Sequence, residues 1–295
     1  MSSAPTQATS QTESIRRAQP SDAEACGKIC YEAFTTVNQH HNFPPDFPSP
    51  AVATELLSFM FTHPGFFCVV AEQGGKIVGS NCLDERSVIA GIGPITIDPA
   101  AQDRGVGRRL MLAVMDRVTE RGLPGVRLVQ AAFHRRSMSL YAKLGFEIRE
   151  PLAVMQGPPI HDVPSGYVVR PATSGDLAAC NLLCRRLHGH DRSGELADGI
   201  AQGTARVVEH NGRLTAYASA VGFFGHAVAE GNSDLRALLG GVDEYLGPGF
   251  LLPTRNTELF RWCLHRGLRM VEPMTLMSVG LYNEPAGAFL PSISY

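Results

Sequence analysis

The sequence predicts a mixed α/β protein built from two similar halves, and three observations carry that prediction. First, Ile15-Arg16-Arg17-Ala18 through Asp22, Ala25, Cys26 and Cys30 recurs as Val169-Arg170-Pro171-Ala172 through Asp176, Ala179, Cys180 and Cys184, at a constant offset of 154 (Arg16 to Arg170). Second, Gly75-Lys76-Ile77-Val78 is echoed by Gly212-Arg213-Leu214-Thr215 behind the apolar runs of Val69, Val70 and Val207, Val208. Third, Gly145, Phe146, Glu150, Pro151 and Met155 match Gly267, Leu268, Glu272, Pro273 and Met277 at an offset of 122 (Glu150 to Glu272). Three echoes in order indicate an internal duplication. Each half runs from a strand into a helix, through Val- and Ile-rich strands with a glycine turn, to a second helix and a last strand, the order of an α+β or mixed α/β fold.

Residues 1–13 are rich in Ser, Thr and Gln, without the apolar stretch of a secretory signal, and are expected to form a loose tail. The first domain is placed at 14–156. Residues 157–166 carry Gly157, Pro158, Pro159, Pro164 and Gly166, a density of strand and helix breakers that suits a linker, and 167–295 form the second domain.

Composition narrows the function. Hydrophobic residues make up 44% and charged residues 18%, enough apolar chain for a buried core. A net charge of -2 gives no general basic field, so no nucleic-acid partner is expected. No run approaches the about 18 apolar residues of a membrane span, so no membrane partner is expected either. Seven cysteines, an odd number, suit reduced thiols, and the protein is expected to be cytoplasmic. Cys26 with Cys30 and Cys180 with Cys184 lie one helical turn apart. Neither pair has the further ligands of a zinc site, so they read as core residues and no metal is expected.

The strand-like run Ile89 to Ile97 ends in Asp98-Pro99, and Gln102-Asp103-Arg104-Gly105-Val106-Gly107 then opens a helix. Val106, Leu110, Val114 and Val118, with Met111 and Met115, form its apolar stripe, and Gly122 and Pro124 end it. Two glycines before a helix N-terminus let backbone N–H groups converge on a phosphate, an anion that the helix dipole also favours. Arg104, Arg108 and Arg109 add positive charge, although a tight turn with solvated arginines has the same spelling.

The Gln-x-x-Gly-x-Gly arrangement after a strand ending in Asp-Pro resembles the acyl-CoA pyrophosphate loop of the GNAT superfamily of N-acetyltransferases. Leu140-Tyr141-Ala142-Lys143-Leu144-Gly145-Phe146 supplies that family's second motif at the expected distance. The resemblance covers Ile15 to Met155 well and the second half in outline. It implies a tandem of two GNAT-like domains, each a mostly antiparallel twisted sheet flanked by helices, with a degenerate second repeat. It also implies acetyl-CoA as co-substrate, held by Ile95, Thr96 and Ile97 of the splayed strand, by Gln102, Asp103, Arg104, Gly105, Val106, Gly107 and Arg108, and by His134 and Tyr141. Pro94 fits a bulge in that strand, because proline cannot donate a ladder hydrogen bond.

Tyr141 stands where the family places the acid that protonates the departing thiolate, and a phenol stays protonated at neutral pH. His134 and Ser137 replace an Asn and an Ala common in the family, and His134 is a second candidate for holding cofactor or water. Asp84 and Glu85, after the strand Lys76 to Leu83, are candidates for the base that deprotonates the amine, or else belong to a solvated turn. His40, His41, Phe43 and Phe47 lie where the family shapes its acceptor pocket, with histidines able to carry protons at neutral pH.

The second half lacks the glycine loop: its corresponding region runs from Glu230-Gly231-Asn232 to Gly240-Gly241, with no tyrosine in Arg261-Trp262-Cys263-Leu264. It is expected to support the first domain, cover its acceptor cleft or make a homodimer. The reading is an acetyl-CoA-dependent N-acetyltransferase acting on a primary amine of a small molecule or peptide by direct attack in a ternary complex. The alternative is an acyl-CoA binding or sensing protein without chemistry.

Overall fold

The computed structural model describes residues 13–294. Of the tail expected at 1–13, residues 1–12 lie outside the described residues, and Glu13 opens a strand rather than ending a tail. The first half runs β1 (Glu13–Arg17), α1 (Ala23–His40), α2 (Pro50–Thr62), β2 (Phe66–Gln73), β3 (Lys76–Asp84), β4 (Ile89–Ile92), β5 (Thr96–Ile97), α3 (Val106–Glu120), β6 (Gly125–Ala131), α4 (Arg135–Lys143) and β7 (Glu147–Gln156). The second half follows with β8 (Tyr167–Pro171), α5 (Leu177–His188), α6 (Ser193–Ala201), β9 (Arg206–His210), β10 (Arg213–Ala218), β11 (Ala227–Ala229), α7 (Asn232–Gly240), β12 (Phe250–Pro253), α8 (Thr257–His265), β13 (Arg269–Gly280) and β14 (Ala288–Leu290). The two lists match element for element except for β5 in the first half and β14 in the second.

Local chemistry accounts for the repeat. Arg16 binds Asp22 and Glu72, each at 2.7 Å, and Arg170 binds Asp176 at 2.8 Å and Glu209 at 2.6 Å. Each arginine thus ties the first strand to the start of the first helix and to the next strand, and it holds Asp22 and Asp176 below the usual carboxylate range. Cys26, Cys30, Cys180 and Cys184 are buried free thiols in the helix faces behind these ties. On α3 the stripe Val106, Leu110, Val114 and Val118 is buried with Met111 against the sheet. Trp262 is half-buried, packed on the core of the second half.

The segment 157–166 separates β7 from β8, but the sheets do not respect that division. One sheet runs β1-β2-β3-β4-β6-β13-β7-β12, with β5 joined to β3, and a second runs β14-β11-β10-β9-β8. Strand β13 of the second half therefore inserts between β6 and β7 of the first, while β7 lies beside β12. The register has a local two-fold symmetry that follows the offset of the third echo. Leu152 pairs with Met274 at the centre, Glu272 pairs with Val154 as Leu276 pairs with Glu150, and the bulges between Met270 and Glu272 and between Leu276 and Met277 are placed alike. The same symmetry relates the bond from Ala132 N–H to the Pro273 carbonyl (3.0 Å) to that from Thr254 N–H to the Pro151 carbonyl (2.9 Å). The second half thus completes the first half's sheet with β12 and β13, an arrangement that only edge-to-edge pairing of distant segments decides. Among the described residues no helix is long and apolar enough to cross a membrane.

Candidate active site

The run expected as one strand from Ile89 to Ile97 is two. Ile92 pairs with Leu83 and Thr96 with Ser80, so four steps along one strand oppose three along β3, a bulge at Gly93-Pro94-Ile95. On its other side β4 pairs in parallel with β6 only as far as Ile92 and Leu128. Beyond that level the two strands part, and Gln130 on β6 faces the gap with neither its amide nitrogen nor its amide oxygen partnered. A buried, unsatisfied amide is costly in an empty protein and suits a ligand that carries amides of its own.

At the mouth of the gap, Gly105 caps α3 with φ +81°, a left-handed conformation that glycine adopts without strain. The first turn of α3 is closed by Arg109 N–H to the Gly105 carbonyl, so the N–H groups of Val106, Gly107 and Arg108 have no helical acceptor. A Cβ on Gly107 would lie 3.2 Å from Ile97 Cδ1, in the space between helix and splayed strand. The cradle therefore fits a pyrophosphate, and Ile95, Thr96, Ile97, Gln102, Asp103 and Arg108 line the same cavity. Arg104 does not line it, its carbonyl instead accepting from Arg109, which is ion-paired to Glu13. Arg136 reaches across the loop to Gln102 and Asp103.

Tyr141 projects from α4 into the same cavity and is buried, its ring edge-on to Phe146. Burial pushes its phenol up to about 12, offset in part by the Ser137 hydroxyl, so the proton stays on at any physiological pH. His134, at the N-terminus of α4, bonds Ser137 Oγ through Nδ1 at 2.6 Å. Burial, then Arg136 and His41, lower its pKa, which keeps it neutral near pH 7.

The acceptor end departs from expectation. Asp84 and Glu85 do not line the cavity. Asp84 sits opposite Gly91, where β4 is still closed onto β6, and is held by Arg86 at 2.6 Å, while Glu85 is held by Arg117 at 2.8 Å. Arg86 also binds Asp198, so this cluster ties the halves together instead of serving the cleft. His40 and His41 are exposed and bond the Thr36 and Val37 carbonyls near the end of α1, and Phe43 stacks on Phe133 with ring centroids 4.3 Å apart. Of the four expected acceptor residues Phe47 alone lines the cavity, because the chain must turn inward after Pro45 to cover the apolar face of α1 and α2. The cavity, about 340 Å³, is closed by residues that sequence reasoning missed: Asp46 beside Phe47, and Phe223, Phe224, Glu272, Met274 and Ile293 of the second half. The exchange of β7 and β13 brings Glu272 there. Its nearest sequence signal was the third echo, which pairs it with Glu150.

The second half has the same elements with the gap filled. Strand β14 pairs with β11 and packs on β12, the counterparts of β4 and β6, which in the first half pair directly up to Ile92 and part beyond it. At the start of α7 the Gly231 N–H is taken by Asp234 at 3.0 Å, and Glu230 beside it is held by Arg186 and Arg213. One CoA is therefore expected to bind per chain in calorimetric titration. A stoichiometry of two would show that the filled gap opens.

Residues 32–146 match the family model of the acetyltransferase (GNAT) family. A mycothiol acetyltransferase of Nocardia farcinica is 44% identical over 63 residues, 21% of this chain and 21% of its own length. The curated relatives at the head of the comparison are thus matched over much less than two thirds of their length. Among solved structures, a candidate acetyltransferase from Pyrococcus horikoshii superposes over 97% of this chain and 94% of its own, with TM-score 0.71 and 19% identity. A tandem GNAT protein from the clavulanic acid biosynthesis pathway covers 92% of this chain and 100% of its own, with TM-score 0.55 and 14% identity. At these identities the structures speak for the fold, and the sequence match speaks for the first half. Residues 32–146 thus form a segment that matches the GNAT acetyltransferase family, set in a fold that the solved structures share along nearly the whole chain.

Proposed function

We propose that the first half moves an acetyl group from acetyl-CoA to a primary amine of a small molecule or peptide, by direct attack within a ternary complex. The observation that carries the reading is one continuous cavity, lined by the phosphate cradle, the splayed strands, Tyr141 and aromatic residues of both halves. Acetyl transfer in the relatives' printed names agrees with it. The thioester supplies an acyl carbon activated toward nitrogen nucleophiles. The chain's own part is positional and protic. The free N–H groups of Val106 to Arg108 and the Arg108 guanidinium hold the diphosphate, the Gln130 amide meets a polar group of the pantetheine arm, and Tyr141 donates a proton to the sulfur. The second half walls off the acceptor end with Phe223, Phe224 and Ile293, which excludes water that would otherwise compete with the amine.

The test is release of free thiol from acetyl-CoA across a panel of amines. Thiol release that requires an amine, with one acetylated product per thiol, is the expected result. Acetyl-CoA binding without thiol release for any amine would leave a binding module in its place.

A further inference from the structure

The local two-fold between β7 and β13 makes Glu150 and Glu272 counterparts, and Arg255 and Phe133 are related by the same offset of 122. Both glutamates are buried, at 1% and 3% exposure. Glu150 has a cationic partner: Arg255, just past β12, grips it with Nε at 3.0 Å from Oε1 and a terminal nitrogen at 2.6 Å from Oε2. In the first half the place of that arginine, just past β6, is taken by Phe133, whose ring is stacked beneath Phe43 and tilted against His41. Glu272 has no ion-pair or hydrogen-bond partner among the described residues, and it lines the active-site cavity together with Met274 and Asp46. A buried carboxylate stripped of the counter-ion that its twin retains is expensive as a purely structural element. It is cheap only when it is protonated or when a cation arrives.

We propose that Glu272, delivered by β13 from the second half, is the general base of the first half's site, receiving a proton from the acceptor's ammonium group. The assignment rests on the acetyl-transfer reading above. The ammonium loses one proton to the Glu272 carboxylate, and the freed lone pair forms the C–N bond at the acyl carbon. The C–S bond breaks, the thiolate takes the Tyr141 proton, and the phenol regains the second proton shed by nitrogen. Glu272 passes its proton to solvent, so each turnover yields amide, thiol and one released proton. Phe34, Phe47, Phe223 and Phe224 line the same cavity, so the acceptor is an amine on a largely apolar body.

Burial, then the neighbouring Asp46, pushes Glu272 up to about 8, and burial lifts Asp46 to about 6 despite the Asn38 amide. The other titratable groups lining the cavity are His134, Tyr141, Asp103, Arg108 and Arg136. A base poised near 8 gains its active form as pH rises, so kcat/KM should climb through pH 8. This limb should stay in place when the amine is exchanged for one of different pKa.

Glu272→Gln should lower kcat/KM by about 10²- to 10³-fold, abolish the limb and leave acetyl-CoA affinity by calorimetry within about twofold. Phe133→Arg, which installs the twin's counter-ion, should move the limb down by about one pH unit or more. Glu150→Gln should leave the limb where it is. A readout without turnover is the melting temperature. Native Glu272 holds a proton between its unfolded pKa of about 4.3 and about 8, so its burial lowers native stability as pH rises through that window. Glu272→Gln should therefore melt higher than wild type above pH 8 and no higher below pH 4. A limb that survives in Glu272→Gln, with kcat/KM within about threefold of wild type, overturns the assignment while leaving acetyl transfer intact. Wild type that releases no thiol with any amine overturns both.

Discussion

Tyr141→Phe is expected to lower kcat by about 10²- to 10⁴-fold with little change in acetyl-CoA affinity, the range for losing a positioned general acid. Phenylalanine keeps the ring that packs edge-on to Phe146 in the core of the first half, so the change removes the hydroxyl and little volume. Because burial holds the phenol near 12, wild-type Tyr141 carries its proton throughout the working range, and the deficit should be nearly independent of pH. This separates it from Glu272, whose loss should reshape the pH profile. Were Tyr141 only a packing residue, Tyr141→Phe would cost on the order of 1 kcal/mol of stability and leave turnover near normal. Steady-state kinetics on the folded variant, repeated with a thioester of lower thiol pKa, decide between these outcomes. The deficit should shrink with the better leaving group, and a kcat within about threefold of wild type under rate-limiting chemistry would remove Tyr141 from the role.

Gly107→Asp is expected to abolish measurable acetyl-CoA binding in a protein that still folds. The new Cβ meets the end of the Ile97 side chain, which can move, and position 107 lies inside α3 without a left-handed φ. The added carboxylate, however, projects into the cradle. A like charge about 4 Å away costs about 4 kcal/mol at an effective dielectric near 20, or about 10³-fold in affinity. Gly105→Asp is the less clean variant, because φ +81° strains any side chain there and the result would mix fold with binding. Calorimetry on Gly107→Asp with its circular dichroism unchanged is the measurement, and wild-type affinity would take the loop out of the site.

What the sequence by itself determined was local. The stripe on α3, the glycines ahead of it and the position of Tyr141 on the next helix depend on spacings of a few residues, and periodicity and turn chemistry set such spacings directly. The duplication was legible for the same reason: each echo encodes a short tie, such as Arg16 to Asp22, that forms inside its own half. The bulge at Pro94 could be anticipated because a missing N–H has the same consequence in any sheet. Proton transfer and the acceptor pocket were another matter. Asp84 and Glu85 stood beside the right strand, but the pairing of Asp84 with Gly91 sets it below the splay, where arginines neutralise both carboxylates. His40 and His41 had the right chemistry, and the end of α1 claimed their ring nitrogens for its free carbonyls. Glu272 belongs to a half without a cofactor loop, and it enters the site because β13 pairs with β6 and not with β12. That choice rests on a long-range register between strands of nearly equal pattern, which no local window encodes. The register also sets Glu150 against Arg255 while Phe133 stands at the symmetry-related place in the first half, and so decides which of two matching glutamates is left without a counter-ion.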